Sequence, residues 1–562
     1  LIYRAISSWF VDIGKIKQDM LDANNKVYWV PEHLQQGRFG KWLENARDWA
    51  ISRNRYWGNP IPIWRCDSCE ATECIGSRKE LEEKTGTKVD DLHKHYVDEL
   101  TYSCSCGGTM KRIPEVLDCW FESGAMPYAQ NHYPFENKEF FERNFPADFI
   151  SEGLDQTRGW FYTLTILAAA LFKSPAFKNV IVNGLVLAED GKKMSKSERN
   201  YTDPMDVINN YGADALRLFL MFSSVVKAED LKYSDEGVKE ILKTIIIPLW
   251  NAYSFFITYA NIDDARPTEA PENPDNPLDQ WILSEAERMV LLVTENFEAY
   301  DLQKAISPMV DFIDLLNNWY IRRSRRRFWK SENDLDKEQA YQTLFAVIMK
   351  LIISACPVIP FITEEIYQNL RDKTMPESVH LCDFPVSNEQ KRDKELEQKM
   401  AITRKAVSLG RALRSMHEIK IRQPLKAIHV VTLNVEERKI LREMEDIIRD
   451  ELNVKDVIFR DNEEDVVEYS AKANFKVLGK QLGKNMKKAA QKIEQLNMQE
   501  IQSLMEGATL ALELGGTTFD LTGEGIIVQR LEKENLKVLN EDSLTVALDP
   551  EITDELKQEG IV

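Results

Sequence analysis

The sequence predicts a multidomain protein in which an α/β region is followed by an all-α helical bundle and then by an α+β tail. Three observations carry this expectation. Residues 147–187 read as strand, helix and strand: a short run at Phe149 and Ile150, a helical segment over 156–172 and an apolar run over 180–187. That is one βαβ unit, which favours a parallel sheet. Residues 278–418 keep helical periodicity with few β-branched runs, which predicts a bundle of roughly four helices. After Pro424, alternation over 427–431, a charged helix over 436–451 and short strands at 457–458, 526–528 and 544–548 predict the mixed tail. At 562 residues the chain exceeds what one hydrophobic core organises, so three or four domains are expected.

Taken in order, residues 1–65 are rich in arginine and aromatic side chains, Trp9, Trp29, Trp42, Trp49, Trp57 and Trp64 among them. They show one amphipathic helix, over 39–52, and read as a connecting region with binding character. Residues 66–116 bracket a charged helix, 78–85, between cysteines, and Gly107-Gly108 makes a turn. This is a small metal-bearing insert. Residues 117–235 hold the α/β region, a loop over 189–201 and short helices through Phe222. A long amphipathic helix over 238–259 follows, with Ile241, Ile245, Leu249 and Ala252 on one face and a kink at Pro248. Pro267, Pro271, Pro274 and Pro277 then form a linker, because prolines this close together do not sit inside a helix. The bundle is expected over 236–424 and the tail over 425–562.

Composition sets limits on function. With 43% hydrophobic and 29% charged residues the chain reads as an ordinary globular protein. The longest apolar runs, 164–172 and 351–353, fall short of the roughly 20 residues that cross a bilayer, so no membrane segment is expected. Leu1 in place of Met suggests that the sequence begins inside a larger protein. Eight cysteines, five of them between Cys66 and Cys106, read as a metal cluster in a reducing, cytoplasmic setting. The net charge of −19 excludes nucleic-acid binding by overall attraction; any RNA contact needs local basic patches.

Two motifs carry chemistry. Lys193-Met194-Ser195-Lys196-Ser197 follows the second apolar strand. Loops at the carboxyl ends of parallel strands line the ligand crevice of open α/β sheets. Lys193 and Lys196 there, with the Ser195 hydroxyl, suit charge building on a pyrophosphate leaving group during nucleotidyl transfer. The run Glu152-Gly153-Leu154-Asp155-Gln156 lies at the strand-to-helix turn. Glu152 at the strand end suits an ammonium group or ribose hydroxyls, Gly153 lets the backbone approach a ligand, and Asp155 and Gln156 open a helix whose N-terminus suits phosphate.

Two further clusters point to a metal and to RNA. Cys66-x-x-Cys69 and Cys104-x-Cys106 supply four thiolates for a closed, structural zinc site, with Cys74 or His93 as a substitute ligand for the shorter second pair. Residues 321–330 hold Arg322, Arg323, Arg325, Arg326 and Arg327 with Phe328 and Trp329 interleaved. Guanidinium forks alternating with rings fit phosphate contact and base stacking.

Five blocks in register resemble the isoleucyl-tRNA synthetases: residues 45–64 (NARDWAISRNRYWGNPIPIW), 117–124 (LDCWFESG), 152–161 (EGLDQTRGWF), the KMSKS loop and 318–329 (NWYIRRSRRRFW). The likeness covers essentially the whole chain. It implies a class I, Rossmann-type catalytic domain of which residues 117–235 are the second half, with 1–65 returning from an editing insertion, an anticodon-binding bundle and a tRNA-contacting tail. It further implies that Glu152, Asp155 and Gln156 bind the aminoacyl-adenylate, that Lys196 binds ATP with Lys193 assisting, and that Trp120 and Trp160 enclose the isoleucine side chain. Without it, both tryptophans read as core residues. ATP with Mg2+, isoleucine and tRNA(Ile) are the implied partners, and a monomer the implied state. Valyl- and leucyl-tRNA synthetases share the loop and the architecture, and a tRNA-binding module without catalysis or one half of a split enzyme are the other readings. The family's His-x-Gly-His signature and editing insertion are absent from these residues, so this stretch alone is expected to be nearly inactive in amino-acid activation.

Overall fold

In the computed structural model of the chain, residues 7–330, 332, 334–514, 516–533 and 536–560 are described, and they form two compact units, Leu1–Glu389 and Gln390–Val562. Residues 1–6, and with them the expectation about Leu1, lie outside the described residues.

The first unit begins with α1 (Ile13–Asn25), which sequence reading missed because its apolar stripe is sparse: only Ile13, Met20, Ala23 and Asn24 are buried. Strand β1 (Tyr28–Val30) follows. The helix expected over 39–52 is corrected to a π-turn, Gln35–Gly40, and a single helical turn, Lys41–Glu44. Its continuation is diverted because Asp48 accepts a hydrogen bond from the Ile13 amide at 3.1 Å and Trp49–Ala50 pairs antiparallel with Phe10–Val11.

The expected βαβ unit is present. Helix α2 (Cys119–Ala129) precedes β2 (Ala147–Gly153), a 3-10 turn Leu154–Arg158, the crossover helix α3 (Trp160–Phe172) and β3 (Phe177–Asn183). The strands are parallel in the order β2-β3-β1, with Glu152 opposite Val182 and Gly153 opposite Asn183. Every residue from Phe161 to Ala169 in α3 is buried, as a crossover helix packed on a sheet requires. Thus residues before Cys66 supply a strand of the central sheet rather than a simple connection. The expected strand over 180–187 is broken at Gly184 before β4 (Val186–Leu187), which pairs with β5 (Leu231–Lys232). A Cβ at Gly184 would lie 1.9 Å from the Glu229 carbonyl oxygen, so only glycine permits this approach.

Between the blocks at 45–64 and 117–124, the insert forms a four-stranded antiparallel sheet from Ile63–Cys66, Thr72–Cys74, Tyr102–Ser103 and Thr109–Arg112. The expected helix Arg78–Thr85 is capped by the Ser77 hydroxyl, which accepts from the Glu80 amide at 3.1 Å, and is stopped by left-handed Gly86. Its small core centres on Trp64, Leu81, Val97 and Met110.

In the helical part, the segment Asp235–Asp263 is long and apolar enough by length and composition to cross a membrane. Its Leu249, Ala252, Tyr253, Phe256 and Ala260 are nevertheless buried, and Phe256 makes ring contacts with Tyr341 and Phe345 in the bundle. The expected kink is a π-turn, Leu242–Ile246, which ends just before Pro248 near the start of α4 (Ile247–Asp263) and absorbs the missing amide donor of the proline. Next come α5 (Pro277–Glu298), α6 (Leu302–Leu315), a π-turn Leu316–Ile321, α7 (Arg322–Trp329), α8 (Leu335–Ala355) and Pro360–Leu370. Asp279 of α5 is fully buried and accepts from Tyr320 Oη at 2.6 Å and from both terminal nitrogens of Arg327 at 2.8 and 2.6 Å. Burial opposes the Arg327 charge, yet Asp279, Tyr320 and Asp336 raise its pKa above the ordinary value.

The second unit starts with α9 (Lys394–Met416), which lies within the stretch 236–424 expected as bundle. Its sheet has β6 (Leu425–Thr432) parallel to β7 (Val454–Arg460). The expected charged helix over 436–451 is two helices, Val435–Glu443 and Glu445–Leu452, joined at Met444. Beyond β7 lie β8 (Val467–Ala473), α10 (Phe475–Leu482), α11 (Met486–Ile493) and β9 (Ile526–Glu532), which pairs antiparallel with β8. Finally β10 (Lys537–Glu541) and β11 (Leu544–Leu548) complete the first sheet in the order β7-β6-β11-β10.

Arg327→Ala leaves the Asp279 carboxylate buried without its cation and is expected to cost about 3–5 kcal/mol. Arg326→Ala, on the exposed side of the same helix, should stay within about 0.5 kcal/mol. Urea unfolding followed by far-UV circular dichroism checks this: an earlier transition for the first variant only is the expected result.

Candidate active site and metal centre

Three of the sequence blocks meet around the N-terminus of α3. Ser52–Arg53 pairs antiparallel with Val116–Leu117, and Arg53 reaches the buried Asp118 carboxylate at 2.7 Å. Trp49 stacks on Phe121 with ring centres 5.9 Å apart, and the Asn59 amide donates to Glu122 at 3.2 Å. Residues 49–59 are thereby fastened to the first turn of α2, which carries Trp120. Helices α2 and α3 touch at Gly124, where a Cβ would stand 3.0 Å from the Thr163 carbonyl oxygen. The Trp160 indole N–H donates to the Ser123 carbonyl at 3.1 Å.

At the turn itself Gln156 accepts from the Trp160 amide at 2.9 Å and donates to Asp155 at 2.9 Å. A Cβ on Gly159 would lie 3.2 Å from the Trp120 ring, so that ring rests against bare backbone. Trp120 is 41% exposed, Trp160 is partly buried, and Glu152 and Asp155 are open to solvent. Trp120, Trp160, Asp155 and Gln156 are brought to one locus, with Glu152 and Gly153 at the adjoining strand end.

The loop with Lys193, Ser195 and Lys196 is held separately. Lys193 bridges Leu187 of β4. The Asn200 side chain donates to the Lys193 carbonyl at 3.1 Å and accepts from the Ser195 amide at 2.8 Å, and Met194 packs against Val207, Ala215 and Tyr233. Lys193 and Lys196 point to solvent, and among the described residues no hydrogen bond or ion pair ties them to Glu152 or Asp155. Sequence reading missed Asn200, Met194 and the Arg53–Asp118 clasp. Asn200, one turn beyond Lys196 in a loop of short polar residues, was the readable signal; the clasp joins residues 65 apart and had none.

In α7, Arg325, Arg326 and Trp329 are exposed, whereas Arg322 and Arg323 lie 6.0 and 5.7 Å from the centre of the Trp319 ring. Arg327 faces inward to Asp279, which corrects its place among the RNA-facing arginines: its single guanidinium is already committed.

The sulfurs of Cys66, Cys69, Cys104 and Cys106 lie within 4.8 Å of one another, with Cys66 3.4 Å from Cys106 and Cys69 3.8 Å from Cys104. Cys74 and His93 are outside this set. Backbone amides of Cys69 and Ser68 lower the Cys66 thiol to about 7. The Gly108 amide favours a Cys106 thiolate too, but Cys69, Cys66 and Cys104 beside it push that thiol up to about 12. Four sulfurs so close carry full charge only with a cation between them. Tetrahedral metal–sulfur bonds of about 2.3 Å place sulfurs about 3.8 Å apart, so the donor set fits a closed zinc-type centre.

Residues 2–232 match the family of tRNA synthetases class I (I, L, M and V), and residues 279–429 match the anticodon-binding domain of tRNA ligase. Both matched segments are thus similar to parts of class I tRNA synthetases and their relatives. Over its whole length it is similar to isoleucine--tRNA ligases: 63% identical to that of Treponema denticola, 58% to that of Treponema pallidum and 51% to that of Protochlamydia amoebophila, covering 52%, 53% and 54% of those proteins. The chain spans about half the length of the curated relatives it matches.

Cys66→Ala is expected to loosen the insert, seen as faster proteolysis within residues 63–112 and a shifted Trp64 fluorescence. Cys74→Ala, on a cysteine outside the cluster, should leave both readouts at the wild-type level.

Proposed function

We propose that this chain forms the Lys196 side of an isoleucine--tRNA ligase: ATP-dependent activation of isoleucine, then transfer to tRNA(Ile). One observation carries the reading. Strands β2 and β3 end in register, so Glu152 and Gly153 leave the sheet beside Asn183, from which the chain runs on to Lys193 and Lys196.

In the reaction the isoleucine carboxylate attacks the α-phosphorus of ATP, and pyrophosphate leaves. Glu152 and Asp155 offer carboxylates to the α-ammonium and ribose hydroxyls, and Gln156 is already oriented by the Trp160 amide. Lys193 and Lys196 are free to follow charge onto pyrophosphate, with Ser195 donating from a fixed loop. Mg2+ would accompany ATP and offset phosphate charge. The tRNA hydroxyl then attacks the adenylate carbonyl and AMP departs.

Trp120 and Trp160 supply flat apolar walls suited to a branched aliphatic chain. A single methylene changes such binding by only about 1–3 kcal/mol, a limit for which this enzyme family is the standard illustration. Arg322, Arg323, Arg325, Arg326 and Trp329 are the tRNA-facing residues of the bundle. Zn2+ at Cys66, Cys69, Cys104 and Cys106 would be structural, since four thiolates leave no position for reacting water. Reduced thiols suit a cytoplasmic setting.

Binding of a non-hydrolysable isoleucyl-adenylate analogue, compared with its valyl and leucyl counterparts, tests the site. The isoleucyl form should bind tightest; Glu152→Ala should weaken it by about tenfold or more, and Lys196→Ala should weaken binding of ATP, which carries the pyrophosphate, by a similar factor. Equal affinity for all three analogues, or unchanged affinity in both variants, would sink the assignment.

A further inference from the structure

After leaving the loop that carries Lys193 and Lys196, the chain comes back to it. Residues 225–233 run along β4: the Gly184 amide donates to the Val225 carbonyl at 2.7 Å, the Leu185 amide to the Asp230 carboxylate at 3.1 Å, and the Leu231 and Tyr233 amides to the Leu185 and Leu187 carbonyls at 2.8 and 2.9 Å. Strands β4 and β5 are parallel and place Lys232 opposite Leu187. On the other side of Leu187 stands Lys193, bridged to it antiparallel. Partnered residues of adjacent strands carry their side chains on one face of a sheet, so Lys232 and Lys193 share a face with Leu187 between them.

The residues next in sequence agree with this phase. Met194 and Tyr233, one step beyond each lysine, both pack into the small core of Val207, Ala215 and Val238, whereas the two lysines are exposed. The Lys232 arm lies over the hairpin turn, where a Cβ on Gly191 would stand 3.1 Å from its Cε and 3.7 Å from its Nζ. The lysines between residues 190 and 240 divide into two sets. Lys192 lies 3.3 Å from Asp190, Lys227 3.5 Å from Asp301 and Lys239 3.0 Å from Glu236. Lys193, Lys196 and Lys232 make no ion pair with a carboxylate among the described residues. Like charges gathered at one loop repel one another, and a ligand with several negative charges removes that cost.

We propose that Lys232 is a third lysine of the polyphosphate site, binding the β- and γ-phosphates of ATP and the pyrophosphate they become, alongside Lys193 and Lys196. This rests on the ligase reading above and adds to it a residue from another strand, outside the sequence block that carries the loop. Two strand spacings, about 10 Å, separate the backbones of Lys193 and Lys232. Their long arms close that gap, so both ammonium groups reach two linked phosphates from one side, each as a point charge. The two lysines differ in how they are held. Lys232 is set by strand pairing with Leu187, whereas Lys196 stands on the loop itself, which the Asn200 side chain fastens at Lys193 and Ser195. A charge fixed by a strand offers the phosphates a constant position while the loop lysines follow the leaving group.

The test is calorimetric titration of the whole chain with MgATP, magnesium pyrophosphate and AMP. Lys232→Met keeps an unbranched arm over Gly191 and removes the charge. It should weaken ATP and pyrophosphate by about fivefold or more, while AMP, which lacks the β- and γ-phosphates, binds as to the wild-type chain. Lys232→Arg, which keeps the charge, should stay within about twofold of wild type for ATP. Lys239→Met, on the lysine paired with Glu236, should change none of the three affinities. Unchanged ATP and pyrophosphate binding in Lys232→Met, while Lys196→Ala still weakens both, would overturn this inference and leave the ligase reading intact. An equal loss for AMP would also overturn it, since the substitution would then act through the fold and not through phosphate. Absence of ATP binding by the wild-type chain would overturn both.

Discussion

Parallel pairing of β2 with β3 is the constraint on which the candidate site depends. Two parallel neighbours cannot be joined by a turn, so the chain must cross over, and the crossover helix must be buried against the sheet. That requirement explains the uninterrupted buried run of α3, from Phe161 to Ala169. It also fixes where polar groups can stand. The 3-10 turn before the helix stands off this buried run, and there Gln156 donates to Asp155 and accepts from the Trp160 amide. With both strands ending in register, the loop after β3 starts from the same edge. Backbone geometry, before any side chain is considered, therefore starts the segments that carry the carboxylates and the lysines from the same sheet edge.

The distribution of cations follows helix phase more than residue type. Tyr320, Ser324, Arg327 and Phe328 recur at the spacing of one buried stripe, and Tyr320, Ser324 and Phe328 are all buried. Arg327 falls on that stripe, so a guanidinium that looks like its neighbours in sequence serves the core, paired with Asp279. Arg325 and Arg326 lie off it and stay in solvent. The same phase argument works in reverse in α10 and α11, where every fourth residue is lysine and the opposite stripe is apolar. A net charge of −19 thus says little about any one surface, because the decisive quantity is the sign of one face.

Legibility from sequence tracked how local the cause was. The βαβ unit, the helix Arg78–Thr85 and the helix that follows the proline linker rest on neighbouring residues, and the structure has them. The helix expected over 39–52 failed because its second half is claimed by partners far along the chain, Ile13 and Phe10–Val11. Helix α1 was invisible because a buried Asn24, held by Trp29 Nε1 at 3.0 Å, takes the place of an apolar residue in its stripe. For the site, the motif blocks were readable as blocks. Their assembly through Arg53–Asp118, Trp49–Phe121 and Trp160–Ser123 was not, since none of these pairs is set by local spacing.

That assembly gives the metal-type insert a role beyond its own stability. The insert leaves the fold at Ser52–Arg53 and returns at Val116–Leu117, and these two short strands pair with each other. Closing a loop of about 60 residues costs roughly 3–4 kcal/mol in chain entropy if the loop is flexible. Two residue pairs and one ion pair are a small return against that cost. The cysteine cluster and the Trp64 core shorten the loop in effect, because a folded insert holds its two ends near each other. Asp118, at the closed neck, is the residue immediately before α2, and Trp120 stands in that helix's first turn. Order in the insert is therefore transmitted to the helix turn that carries Trp120, which gives the cysteine cluster a physical reason to sit between the two blocks.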